Sequence, residues 1–525
     1  MTRTVAKMGL SQSTRTALAA LSGLLFVFSY PQVSFGWLGW FALVPLLGAL
    51  RRAESKSEAV GLGLIAGVLS NGFLLFWLTR VTAVGWAIVV MLETAFFLLY
   101  VLWFYSLRGR LGGSAECFAA AAGWTVCEWL RSEIPVAGFG WNLLAHTQAD
   151  HPWILQSASA VGVYGLGFLM ALMNACIYRI VFPEPDPSGK VSVFRSKDWR
   201  RGFVMAVLLA AVIFAGRDRY ESVHKTLKPK LLNISLIQGN IPQEIKWVSI
   251  AREKIIDIYL SLTKLASYQK PDLVIWPEAA FPGYFNQDPE AIPVWDFARQ
   301  IDTPILVGSP HFETYDVAYN SAYLIGRDGQ PAGRYDKLNL VPFGEYVPLK
   351  PVLGWLEPYA ETLGVSDFSR GKNWEVFRLQ NGELPFSVLI CFEDVFPDMA
   401  RRFVGLGAQF LVVITNDAWF GPTASPYQHL QASIFRAVEN GVTVVRAANT
   451  GVSAFINQTG DVLDRVRGDS GADIFVAGQK TLSVNVDKFE TTYRRFGWIF
   501  PYLAIASFVI INAGLWLTRA SHLRV

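Results

Sequence analysis

The chain has 525 residues, of which 52% are hydrophobic and only 17% charged, with a net charge of +4 and a mean hydropathy of +0.31. Soluble proteins average about 25% charged residues, so a wholly soluble chain is excluded, and so small and scattered a positive charge offers no footing for nucleic acid. The apolar excess falls in residues 1–216 and 496–525. The composition predicts a polytopic membrane part, one globular domain of roughly 270 residues, and a final membrane anchor.

In chain order, apolar spans are predicted near 16–30, 34–50, 59–78, 82–106, 115–130, 160–182, 202–216 and 496–517. Most approach the ~20 residues that cross a bilayer as a helix; the first, fifth and seventh are shorter. The first runs into Tyr30-Pro31 without a small-x-small site, unlike a cleaved signal peptide. Residues 1–220 are thus expected to form a helical membrane domain of seven spans, 228–490 a globular domain, and 496–517 an eighth span. Pro183–Lys190, with three prolines, reads as a linker.

Lysine and arginine set the orientation. They recur in the N-terminal tail (Arg3, Lys7, Arg15) and after the second span (Arg51, Arg52, Lys56). They recur again after the fourth (Arg108, Arg110), after the sixth (Lys190 to Arg201) and in the C-terminal tail (Arg519, Arg524). Every second loop is basic, which places both termini in the cytoplasm and the globular domain outside, in the periplasm of a bacterium. Glu93, Glu116, Glu128 and Asn174 lie in or beside spans. With no basic partner at helical spacing they are read as helix-packing or capping groups rather than a transport path. Trp141, in the short outer loop Gly138–Asn142, suits the interfacial aromatic belt facing the globular domain.

The globular stretch alternates strand-like and amphipathic runs. Strands are expected at 233–238, 273–276, 305–308, 321–325, 386–390, 411–415, 443–446, 453–457 and 481–486. Helices are expected at 244–268, 290–300, 396–406 and 427–440, and turns at Gly326–Gln330 and Asn457–Asp461. The alternation argues α/β layering with helices covering a two-sheet core.

Of four cysteines, Cys117, Cys127 and Cys176 lie in apolar segments, and Cys391 stands alone in the globular stretch. An unpaired thiol in an oxidising compartment is a hazard without a function. Cys391 ends the apolar run Phe386–Ile390 and precedes Phe392, Glu393 and Asp394. Glu278 ends Leu-Val-Ile-Trp-Pro-Glu, and Lys337 opens a run leading to Glu345. A thiol nucleophile, a carboxylate proton carrier and a cation, each at a strand end, are what thiol-based acyl transfer needs. No metal or cofactor is implied. His146 and His151 miss the i,i+4 spacing of a ligand pair, and no G-x-S-x-G elbow occurs.

Five motifs carry a resemblance. They are Gln238-Gly239-Asn240-Ile241-Pro242-Gln243 with Lys246-Trp247; Trp276-Pro277-Glu278; Lys337 through Val341-Pro342-Phe343-Gly344-Glu345; Cys391-Phe392-Glu393; and Thr415-Asn416-Asp417-Ala418-Trp419-Phe420. With them the globular part resembles the nitrilase superfamily of carbon–nitrogen hydrolases. With its spans the whole chain resembles the apolipoprotein N-acyltransferases of the bacterial inner membrane. The resemblance implies a helical membrane bundle joined to an α-β-β-α sandwich. It implies catalysis by Glu278, Lys337 and Cys391, with Glu345, Glu393 and Phe392 in support. The family often carries Tyr after the nucleophile; Phe392 can act only by packing or acyl contact.

The implied reaction is ping-pong. An acyl chain passes from a phospholipid to Cys391 and then to the α-amino group of an S-diacylglyceryl cysteine at the N-terminus of an apolipoprotein. The implied partners are those two substrates and the membrane, with the protein a monomer. A thioester needs a dry, lipid-facing mouth. Candidates to line it are Trp247, Trp355 in the stretch 349–371, Asn416, Trp419 and Phe420, with Trp141 from the membrane part. Two alternatives stand: a membrane-anchored amidase using the same triad, which would not need so large a membrane part, and a transporter with an outer binding domain, which would not need the triad.

Overall fold

In hydrocarbon every backbone N–H and C=O must be satisfied within its own segment, so long apolar runs fold as helices. In the computed structural model, which describes residues 10–134, 138–183, 196–226, 228–315, 317–347, 367–379 and 382–522, five helices are long and apolar enough to cross a membrane. They are Lys56–Leu74, Ala83–Leu107, Ala158–Val181, Trp199–Thr226 and Gly497–Thr518. Gln12–Ser29 and Gly113–Glu133, at the first and fifth expected spans, are helical but less apolar. The second expected span differs: it is a 3-10 turn, Gly36–Trp40, followed by the short helix Val44–Arg51. Eight residues of helix reach only about 12 Å. Pro45 in the first turn favours a fresh helix start. The broken backbone is repaired by Asn174, which accepts from Leu43 N at 2.9 Å and donates to Gly39 O at 3.0 Å.

The intramembrane acids have partners from other segments, which spacing along one helix could not reveal. Glu93 pairs with Arg131 at 2.8 Å, and Glu116 with Arg179 at 2.5 Å. Glu128 accepts from Leu144 N at 2.7 Å. Arg131 also donates to the carbonyls of Phe139, Trp141 and Asn142, tying that segment to the bundle. These residues belong to one compact unit, Met1–Ile134, Gly138–Arg217 and Phe496–Val525; Pro135–Ala137 and Asp218–Arg495 form a second.

Among its described residues the second unit holds twelve strands: β1 Leu231–Gln238, β2 Leu273–Ile275, β3 Ile305–Thr314, β4 Val317–Ile325, β5 Pro331–Asp336, β6 Phe377–Leu379, β7 Leu384–Ile390, β8 Phe410–Thr415, β9 Thr443–Ala448, β10 Ala454–Ile456, β11 Val462–Arg465 and β12 Gly478–Asn485. They make two six-stranded sheets, ordered β12-β1-β2-β3-β4-β5 and β11-β10-β9-β8-β7-β6. In each, three consecutive strands run parallel: β1, β2 and β3 in the first, β7, β8 and β9 in the second. Parallel strands are buried on both faces and read as unbroken apolar runs, which is why they are plain in the sequence. The strands the sequence leaves unmarked, β5, β6 and β11, are all sheet edges. β5 opens on Pro331 and carries Gly333 and Arg334, features tolerated at an edge.

The helices Arg252–Ser267 and Ile292–Gln300 pack on the first sheet through Ile255, Tyr259 and Val294 against Val274, Trp276 and Val307. Pro397–Gly405 and Ser425–Asn440 pack on the second. The helix expected at 244–268 is interrupted, a single turn Gln243–Lys246 preceding the longer one. The sheets are joined by Asn449, just beyond β9. Its Oδ1 accepts from Ile241 N at 2.9 Å, its Nδ2 donates to Ile241 O at 2.7 Å, and its carbonyl accepts from Asn240 N at 2.9 Å. Asn449→Ala strands a buried N–H and C=O, each costing about 1–3 kcal/mol. The expected outcome is a fall of several degrees in the melting temperature of the second unit, measured by calorimetry of the detergent-solubilised chain.

Candidate active site

Ligands of open α/β sheets bind beyond the carboxyl ends of the parallel strands, and the candidate residues gather there. Glu278 lies three residues past β2, Cys391 directly follows β7, Asn416 directly follows β8, and Lys337 directly follows β5. Two of these turns need left-handed backbone: Cys391 has φ 53° and Ala279, after Glu278, φ 46°. Side-chain-bearing residues are strained there, and such strain persists only where the surroundings over-determine it. Around Glu278 the chain is held close to β3: a Cβ on Gly308 would lie 2.3 Å from Pro277 O and 2.7 Å from Glu278 Cα.

Lys337, 1% exposed, stands between two carboxylates. Its Nζ lies 2.9 Å from Glu345 and 3.5 Å from Glu278 Oε1. Asn320 of β4 bridges the same pair, its Nδ2 donating to Glu278 Oε1 at 2.8 Å and to Glu345 Oε1 at 2.7 Å. Glu278 Oε2 accepts from Asn416 N at 2.8 Å, and Glu345 Oε2 from Val341 N at 2.8 Å. Burial alone would lower the Lys337 ammonium, but Glu345 and Glu278 outweigh it and raise it above its ordinary value, so it is a fixed cation. Cys391 keeps part of its surface exposed. Burial, then the charge of Glu278, push its thiol well up, with Lys337 opposing. The resting group is therefore a neutral thiol that needs a base.

Glu393 is fully buried and straps the two sheets together at the site. Its carboxylate accepts from Ile390 N at 2.8 Å, Leu338 N at 2.7 Å, Asn339 N at 3.0 Å and Tyr335 OH at 2.9 Å. Burial pushes this carboxyl up to about 7 against those donors. It thus fixes the turn holding Cys391 to the segment holding Lys337. Phe392 is buried, edge-on to Phe396 with centroids 5.1 Å apart.

Beneath the Cys391 turn lies a charged cluster that single-residue reading of the sequence misses. His429 Nε2 lies 2.9 Å from Asp394 Oδ1 and 3.3 Å from Cys391 O, and Arg446 donates to both Asp394 and Asp417 at 3.2 Å. All four are at most 1% exposed. Against the effect of burial, His429 and Arg446 hold Asp417 at about 2. The available signal is Asp394 and Asp417, acids four and two residues past strong apolar strands.

The remaining candidates scatter. The Asn416 side chain is engaged with Gln243 Oε1 at 2.8 Å and Asn449 Nδ2 at 3.0 Å. Trp247 is half exposed, and Trp419 and Phe420 are half-buried in a 3-10 turn, Asp417–Phe420. Trp141 belongs to the membrane unit, where it is buried against Trp77 and stacked with Phe139. Trp355 lies outside the described residues.

Two facing sheets flanked by helices, with Glu, Lys and Cys at their strand ends, define a carbon–nitrogen hydrolase domain of the nitrilase type. Residues 233–478 match the carbon-nitrogen hydrolase family model, and residues 22–176 match that of the apolipoprotein N-acyltransferase N-terminal domain. The chain is 35% identical to an apolipoprotein N-acyltransferase of Geobacter metallireducens, over 96% of each chain. It is 31% identical to one of Haemophilus influenzae, over 94% of each. A crystal structure of an amidase from Nesterenkonia sp. aligns at 21% identity, covering 52% of this chain and 95% of its own, with a TM-score of 0.38. The chain belongs to the apolipoprotein N-acyltransferase family.

Glu393→Gln replaces an acceptor oxygen with an NH2 group facing backbone donors. It is expected to destabilise the catalytic unit by roughly 2–4 kcal/mol, read from its urea midpoint. It should also slow alkylation of Cys391 by iodoacetamide.

Proposed function

We propose that the protein transfers a fatty acyl chain from a membrane phospholipid, through a thioester on Cys391, to the α-amino group of an S-diacylglyceryl cysteine at the N-terminus of an apolipoprotein. The observation that carries this reading is the Glu278–Lys337–Glu345 cluster beside Cys391, in a chain that also contains a helical membrane unit.

Glu278 takes the thiol proton as Sγ attacks the ester carbonyl. The carbonyl electrons move onto oxygen, and the ammonium of Lys337 stabilises that oxyanion; one such donor is worth roughly 3–4 kcal/mol. As the intermediate collapses, the ester C–O bond breaks and Glu278 returns its proton to the departing lysophospholipid. In the second half the amine attacks the thioester, Glu278 accepts its proton, and the C–S bond breaks with the proton returning to sulfur. Glu345 and Asn320 hold Lys337 and Glu278 in register, and Glu393 holds the two halves of the site together.

The placing of basic residues supports a catalytic domain, residues 228–490, on the periplasmic side of the inner membrane. On the same reading, residues 1–220 and 496–517 are its anchor, both termini are cytoplasmic and the protein acts as a monomer. Trp247, Trp419 and Phe420, with apolar surface exposed and no acid–base group, suit contact with acyl chains. Trp355 and Trp141 are proposed for the same path on sequence grounds.

Intact-mass spectrometry of the chain purified from membranes should find an acyl adduct, absent from Cys391→Ala along with all transfer. Glu278→Gln and Lys337→Ala should slow single-turnover acylation by at least a hundredfold, roughly the scale of losing one such group. Normal acylation in either variant removes that residue from the mechanism.

Alanine at Trp419 or Phe420 should weaken donor binding about tenfold, the worth of one large apolar contact. Iodoacetamide should still alkylate Cys391 in these variants; joint loss of alkylation and protease resistance would make the two side chains domain core instead.

A further inference from the structure

The chemistry above leaves a buried cation beside Glu278 unused. Lys246 ends the single helical turn Gln243–Lys246 after β1 and is 1% exposed. Its Nζ donates to the main-chain carbonyl of Glu278 at 3.1 Å, and among the described residues this is its one hydrogen bond. An ammonium carries three donors, so it is buried incompletely satisfied, an arrangement that costs stability. An apolar side chain of the same length would fill the space without that cost. The return lies in where the charge sits.

The same helical turn reaches Glu278 from a second side. Gln243 Oε1 accepts from Asn416 Nδ2 at 2.8 Å, and Asn416 N donates to Glu278 Oε2 at 2.8 Å. One end of Glu278 is thus held directly and the other through one intermediary. The left-handed backbone at Ala279 makes such restraint necessary.

We propose that Lys246 is a positioning residue for Glu278: it fixes the carbonyl of the Glu278 turn and, as a cation, favours the ionised, proton-accepting carboxylate. The inference rests on the reading of Glu278 as the base. The ionisable groups that act on Lys246 are Glu278, from the turn after β2, and Cys391, from the turn after β7. Burial lowers its proton affinity to about 8 against their pull. Lys337 is shifted the opposite way by Glu345 and Glu278. Lys246 is therefore the site cation that discharges in mildly alkaline solution. Its charge is carried below about pH 8 and lost as the pH rises through that value.

The test follows the acylation burst of the full-length chain in detergent with p-nitrophenyl acetate, a small ester that needs thiol and base but no lipid groove. Lys246→Met should lower the burst rate about tenfold or more at pH 7 and move its acid limb to higher pH. Lys246→Gln can still donate to the Glu278 carbonyl but carries no charge. It should keep the wild-type melting temperature while showing the same altered pH profile. A Lys246→Gln profile that superimposes on wild type overturns the proposal. Cys391→Ala is the control: a burst that persists there defeats the nucleophile reading instead, independently of Lys246.

Discussion

One ammonium between two carboxylates organises this site. Lys337 meets Glu345 and Glu278 at the ends of different segments, and Asn320 spans the same two acids. Two like charges brought this close repel unless a cation lies between them, so each member fixes the others. A lysine left without the acids would shed its proton under burial. The cluster therefore sets the geometry and the charge of Lys337, and burial leaves Cys391 a neutral thiol beside it.

The backbone contributes a second constraint. Cys391 and Ala279 both occupy left-handed conformations, costing of order 1–2 kcal/mol each. Those turns are held from beneath. The Cys391 turn rests on Asp394, His429 and Arg446, and Glu393 accepts from residues on both sides of the cleft. Buried charge clusters are weak sources of stability. Here their value is positional, since each hydrogen bond ends on a segment that carries a reacting group.

How much of this the sequence disclosed follows from what spacing can encode. Glu278 and Cys391 follow parallel strands whose unbroken apolar runs mark their own ends, and Lys337 shares a motif with Glu345. Asn320 and Arg446 carry no such signal. Asn320 sits inside an unremarkable strand, and its role depends on which strands become neighbours. Edge strands such as β5 lack the apolar signature that central strands must have. In the membrane unit, hydropathy alone suggested a second full span at 34–50. It could not register that Asn174, some 130 residues away, repairs a break in that segment. The arginine partners of Glu93 and Glu116 were missed for the same reason.

The division of the site between two sheets has a consequence for the life of the chain before it is fully folded. Glu278 and Lys337 come from one sheet, Cys391 from the other, and Asn449 and Glu393 are among the groups that hold them in register. On the proposed mechanism, a nascent chain with only one sheet formed has the Cys391 thiol without its base, or the base without its thiol. Reactivity would then switch on with closure of the sandwich, which keeps a newly made chain from spending its nucleophile on the wrong ester while it is still assembling.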